Sequence, residues 1–173
     1  IEGGVLASGQ EGLHPIEAHG VSALSIGFVL PKGTPVVWRG PMIGSGVRQC
    51  LHDVDWGELD YLIVDLPPGT SDASMTLAQE CLIAGVVIVS SPSKVSVEDA
   101  TKAVGMFDRL GVPIFGVVEN MSGDIFGRGG AAEAAEELGI EFLGELPLDA
   151  AIREGGDTGV PVVAGHPESE IAR

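Results

Sequence analysis

The residues best placed by type and spacing to do chemistry are Asp65, Asn120 and Arg39. Asp65 closes the apolar run Tyr61-Leu62-Ile63-Val64, and Pro67-Pro68-Gly69-Thr70 follows it after Leu66. A continuous apolar run bounded by turn residues reads as a strand buried on both faces of a parallel sheet. An aspartate at the carboxyl end of such a strand sits where open α/β sheets bind ligands. In phosphate-transfer ATPases it helps to hold Mg²⁺, usually through water. The same pattern also serves as a polar cap where a strand leaves the core; the stiff Pro-Pro-Gly-Thr segment, neither helix nor strand, favours the ligand reading. Asn120 follows a second apolar stretch. Its amide offers one acceptor and two donors that could read a base edge, or it satisfies its own turn. Arg39 precedes Gly40-Pro41 at a helix entrance, where it could touch a phosphate or a partner subunit, or stand as a solvated surface arginine.

These residues need elements to position them. Ile1 to Gly20 reads as a Gly-rich loop whose His14 and His19 are hydrogen-bonded loop residues rather than a metal site. Val21 to Leu30 reads as a strand, and Pro31 to Pro35 as a turn. Ile43 to about Val54 reads as a helix, because Val47, Cys50, Leu51 and Val54 recur at helical spacing. Asp72 reads as the N-cap of a helix through Ala84, and Ser96 as the N-cap of one ending near Leu110. Val86–Val89, Val112–Val118 and Ile140–Leu146 read as further strands, with a helix over Gly129–Leu138 between the last two. Ala150–Glu154 reads as a helical turn broken by Gly155-Gly156, Val160–Ala164 as extended, and Pro167–Arg173 as the start of a helix. Strands alternating with helices predict an α/β fold with a doubly wound, mainly parallel sheet and helices on both faces. Strand ends in such a sheet gather on one edge. Asp65 with its loop, Ser90–Ser93, Glu119–Ser122 and Pro147–Asp149 would then form one ligand-binding rim.

A chain of 173 residues with 45% hydrophobic and 20% charged residues can bury a core as one domain. Lys+Arg 9 against Asp+Glu 25 gives a formal net charge of -16, which disfavours a broad nucleic-acid footprint. It leaves room for one phosphorylated ligand held by backbone N–H groups, helix ends and a metal. No apolar run has the length of a membrane span, and no basic-then-apolar leader pattern is seen at the start. Cys50 and Cys81 form no CxxC pair and no disulfide framework; they read as buried apolar thiols of a reducing cytoplasm.

Five segments resemble the Mrp family of MinD/ParA-like P-loop ATPases, which act as scaffolds or carriers for iron–sulfur clusters. They are SIGFVLPKGTPVVWRGPM (Ser25–Met42), DYLIVDLPPGTSDASMTLAQ (Asp60–Gln79), GVVENMS (Gly116–Ser122), IFGRGG (Ile125–Gly130) and LGELPLDAAIREGGDTGVPVV (Leu143–Val163). The resemblance runs from about His14 to Ser169. It implies a cytoplasmic homodimer that binds ATP and Mg²⁺, carries a [4Fe–4S] cluster between subunits and passes it to apo-proteins, with no nucleic-acid or membrane partner. It implies that Asp65 sits near Mg²⁺ through water. Pro67 to Asp72, with Gly69, Thr70 and the second catalytic acid Asp72, would form the loop that senses the γ-phosphate. Asn120 would face the adenine, with Pro147, Leu148 and Asp149 across the base, and Arg39 would fall in a nucleotide-site motif.

The sequence departs from that family in two places that bear on chemistry. The family's first strand and its lysine-bearing GKGGVGKS-type phosphate loop have no counterpart, since Glu2-Gly3-Gly4-Val5 lacks the lysine and the following Ser/Thr. Ser122-Gly123-Asp124-Ile125 runs directly where the family carries a CxxC that supplies cluster thiolates. Ser71 also replaces the usual Gly. The expectation is a single nucleotide-binding domain over residues 1–173 whose first strand, phosphate loop and CxxC lie in residues omitted from this sequence. Two alternatives have other consequences: a non-catalytic paralogue serving as a dimeric interaction module, and a partitioning or site-determining ATPase of the same fold.

Overall fold

A computed structural model of the chain describes residues 13–29, 40–69 and 71–173. Those residues fall into two compact units, one drawn from Ile1–Pro67 and Ser71–Cys81, the other from Pro68–Thr70 and Leu82–Arg173. Arg39, Thr70 and the expected turn at Pro31–Pro35 lie outside the described residues.

In the first unit, β1 (Ile16–Ala18) and β2 (Val21–Ala23) form an antiparallel hairpin. The expected strand Val21–Leu30 therefore stops early. Ser25 turns the chain, its Oγ accepting from Gly27 N at 3.2 Å and its carbonyl from Phe28 N at 2.9 Å, and the short helix α1 (Ile26–Val29) follows. Helix α2 (Gly40–His52) packs on α3 (Asp72–Glu80). Glu80 joins them, with Arg48 Nη1 at 3.1 Å and His52 Nε2 at 3.5 Å. The cap of α3 is Ser71 rather than Asp72: its Oγ accepts from Ser74 N, and Asp72 is the first helical residue. The helix ends at Glu80, short of Ala84, because Cys81 is already extended.

The run Tyr61–Val64 is the main correction. It is not a buried strand: residues 61–67 have no regular structure, and Tyr61 and Ile63 are 86% and 89% exposed. A strand is completed by hydrogen bonds to a neighbour, and among the described residues no ladder pairs with this run. Apolar β-forming residues without a ladder have no face to bury.

In the second unit, β3 (Val86–Ser90), β4 (Ile114–Ser122) and β5 (Phe142–Pro147) form a parallel sheet in the order β3-β4-β5. Parallel neighbours need crossovers, supplied here by α4 (Lys94–Arg109) and α5 (Gly130–Leu138). Ile88, Val104, Phe107, Val117, Ala131, Ala134 and Ala135 make the buried core between sheet and helices. The alanines of α5 allow close approach. So does Gly130, where an added Cβ would collide with the carbonyl of Pro92. Ser93, not Ser96, caps α4.

Strand β4 extends through Glu119–Ser122, which the sequence places in a loop, because β5 keeps pairing with it as far as Ser122 and Pro147. Beyond β5, α6 (Ala150–Thr158) continues through Gly155-Gly156, helped by an Arg153–Asp157 ion pair at 2.7 Å one turn apart. The expected extended stretch Val160–Ala164 instead contains a helical turn, α7 (Val162–Gly165), and Glu170–Ala172 is a 3₁₀ turn. No described helix is long and apolar enough to cross a membrane.

Candidate functional site

The three parallel strands of the second unit end on one edge, and four of the expected site residues meet there. Asn120 pairs in register with Leu146, and Ser122 with Pro147. Leu148 N then donates to Ser122 O at 2.9 Å, so Asn120, Pro147, Leu148 and Asp149 are held by one stretch of ladder. Asn120 Oδ1 accepts from Met121 N at 3.0 Å, which steadies Met121 at φ 61. The local turn role is thus present, and the amide's NH₂ remains the end suited to donate to a base. The carboxylate of Asp149 caps α6, Oδ1 accepting from Ala151 N at 2.7 Å. Its job in this structure is to fix the chain direction after β5.

Beneath this edge lies a residue that pattern reading passes over. Glu119 is 0% exposed, and its two oxygens accept from Gly129 N at 2.8 Å and Ala131 N at 2.9 Å. A carboxylate at the start of α5 satisfies N–H groups that have no helical partner and suits the positive end of the helix dipole. The legible signal is a lone acid inside the apolar stretch Ile114–Asn120, ahead of the helix-opening Gly129-Gly130. A second clasp lies above it. Ser122 Oγ donates to Glu145 Oε2 at 2.7 Å, and Arg128 Nη1 to Glu145 Oε1 at 3.0 Å.

Asp65 and Asp72 belong to the first unit; Gly69 is grouped with the second. Asp65 is exposed and stands in irregular chain rather than at a strand end. An exposed single carboxylate is compatible with Mg²⁺, which keeps several of its waters and commonly takes one or two carboxylates beside substrate phosphates. Among the described residues no cluster of three or more His, Cys, Asp or Glu could hold a metal by itself.

The two cysteines are unlike cluster ligands. Cys50, in α2, is half-buried, and burial pushes its thiol up from the ordinary range, away from the thiolate form. Cys81 is exposed, contrary to the buried thiol expected, and its Sγ donates to Leu77 O at 3.3 Å at the carboxyl end of α3.

Comparison with known proteins agrees with the architecture. A family model described as ParA, NUBPL iron-transfer P-loop NTPase, matches residues 2–173. An iron-sulfur cluster carrier protein of Synechocystis is 47% identical over 174 residues, covering 94% of this chain and 49% of that protein. One from Methanocaldococcus jannaschii is 48% identical over 169 residues, covering 90% and 58%. An Arabidopsis thaliana protein, named an iron-sulfur protein required for NADH dehydrogenase, mitochondrial, is 44% identical over 169 residues, covering 92% and 54%. The chain spans about half the length of these curated relatives. Among solved structures, a nucleotide-binding protein of Archaeoglobus fulgidus in complex with ADP matches with a TM-score of 0.75 and 34% identity, covering 96% of this chain and 68% of that one. The cell division ATPase MinD of Pyrococcus furiosus matches with a TM-score of 0.59 and 26% identity, covering 78% and 54%.

Proposed function

The chain belongs to the NUBPL iron-transfer P-loop NTPase family, and on that premise we propose that the protein is an ATP-binding and ATP-hydrolysing iron–sulfur cluster carrier of Mrp type. Its fold is the α/β fold of P-loop NTPases, a parallel sheet flanked by helices. The observation that carries the reading is the convergence of Asn120, Pro147, Leu148 and Asp149 at the carboxyl edge of β4 and β5. Ligands of open α/β sheets bind outside that edge.

In this reading residues 1–173 form one nucleotide-binding domain. Asn120 donates to the adenine, and Pro147 to Asp149 flank the base. The amide reads the base edge because its donors suit an acceptor nitrogen of adenine and not the donor face of guanine. Asp65, Gly69, Thr70, Asp72 and Arg39 serve the phosphate end. Mg²⁺, when bound, would neutralise charge on the phosphates, and Asp65 would orient its waters. The phosphate cradle itself is supplied by residues outside this sequence. The cargo is a [4Fe–4S] cluster passed to apo-proteins by a cytoplasmic homodimer, without nucleic-acid or membrane partners. The carrier reading is preferred to an interaction module or a partitioning ATPase because the relatives at 44–48% identity are named iron–sulfur proteins.

Asn120→Ala in the protein carrying its phosphate loop tests the site. Preference for ATP over GTP should fall about fivefold, the value of one hydrogen bond of roughly 1 kcal/mol, in a competition titration. An unchanged preference would leave Asn120 as a turn residue and remove the base site from this edge.

A further inference from the structure

The carrier reading requires a cluster to be held somewhere, and the segment joining Ser122 to Gly129 is where thiolates would be sought. That segment is a closed turn. Gly123 N donates to Gly127 O at 2.9 Å and Gly127 N to Gly123 O at 2.8 Å, so the five-residue loop returns on itself. Both of its roots are pinned. Ser122 is tied through its Oγ to Glu145 and through its carbonyl to Leu148 N. On the other side, Arg128 reaches Glu145 and Gly129 N is taken by Glu119. Within the loop the side chains are Asp124, Ile125 and Phe126. A hard carboxylate and two hydrocarbons do not replace the soft thiolates an iron–sulfur cluster needs.

No other part of the chain makes good the deficit. Its two cysteines lie in α2 and at the end of α3, both away from this turn in sequence and both in the other unit. The thiol of Cys50 is half-buried, and burial favours its protonated form. That of Cys81 donates to the carbonyl of Leu77 at the carboxyl end of α3.

We propose that this chain's own residues do not ligate an iron–sulfur cluster. The inference rests on the carrier reading for the presence of a cargo, and on the closed turn for where that cargo is not bound.

The test is anaerobic reconstitution of the 173-residue chain with ferrous iron and sulfide, beside the double variant Cys50→Ser/Cys81→Ser. After desalting, bound iron, acid-labile sulfide and visible absorbance are measured. Wild type and double variant are expected to be indistinguishable, with no sulfide-to-iron absorbance above the buffer blank. Iron retained equally by both, without sulfide, is non-thiolate adsorption and agrees with the proposal. A wild-type chain holding iron and sulfide in fixed ratio, lost in the double variant, would overturn it. The readout is bound cluster and not nucleotide turnover, so failure of the ATPase reading and failure of this inference are told apart.

Discussion

Three stretches of this chain carry similar strand-forming residues, and one of them ends in a state opposite to the other two. Val86–Ser90 and Ile114–Ser122 are strands of a parallel sheet, covered on one face by α4 and α5 while Val87, Val89 and Phe115 stay exposed. Tyr61–Val64, as apolar and as rich in β-formers, is irregular and open to solvent. Propensity does not separate them. What separates them is the ladder: β3 and β4 have hydrogen-bonding neighbours, whereas no described strand pairs with 61–64. The preference of such residues for strands is largely a preference for a pleated, half-buried surface, and it has no effect where no such surface exists.

Three substitutions probe that contrast, in order of expected size. Glu119→Ala removes a carboxylate from beneath the ordered edge and leaves the half-buried Gly129 N and the buried Ala131 N unmatched. A loss of about 3 kcal/mol in denaturant unfolding is expected, since hydrogen bonds to charged groups are each worth ~1.5–3 kcal/mol. A loss under ~1 kcal/mol would mean that the second unit does not depend on this clasp. Asp65→Asn probes the open stretch by chemistry instead of stability. In the protein with its phosphate loop, ATP turnover should fall roughly a hundredfold, as for outer-sphere metal partners, with the unfolding curve unmoved. Wild-type turnover would return Asp65 to the status of a polar surface residue. Ile63→Ser should be nearly silent in this chain, within about 0.5 kcal/mol, because an exposed side chain loses little burial. A cost of ~2 kcal/mol or more would reveal that the run is buried in a ladder in solution, and its contrast with the two strands would disappear.

The turn at Gly123–Gly127 sharpens the same lesson on a smaller scale. Met121 stands at positive φ and the loop closes on itself, yet nothing in Asn120-Met121-Ser122 announces that β4 continues to Ser122. The sequence reading stops the strand at Val118 because Glu and Asn are poor strand formers and Ser suits turns. Pairing with Glu145, Leu146 and Pro147 overrides that preference. The same overriding accounts for α6: Gly155-Gly156 argues for a break, but the Arg153–Asp157 pair and the αL cap at Gly159 carry the helix to Thr158.

Local pattern determined the alternation of strands and helices from Val86 to Leu146, because it depends on periodicity within a few residues, and five segments spread from Ser25 to Val163 carried the family resemblance; the meeting of Asn120 with Pro147–Asp149 was expected from strand ends gathering on one edge and is made by the β4–β5 ladder. Only the tertiary structure decided that Glu119 is a buried clasp, that Ser71 and Ser93 are the helix caps, that Cys81 is exposed and that Tyr61–Val64 is no strand. Burial and ladder partners are contributed by residues far along the chain, and a window of ten residues holds no information about what will stand opposite it; the caps are local contacts, Ser71 to Ser74 N and Ser93 to Ser96 N, but which serine caps depends on where each helix starts.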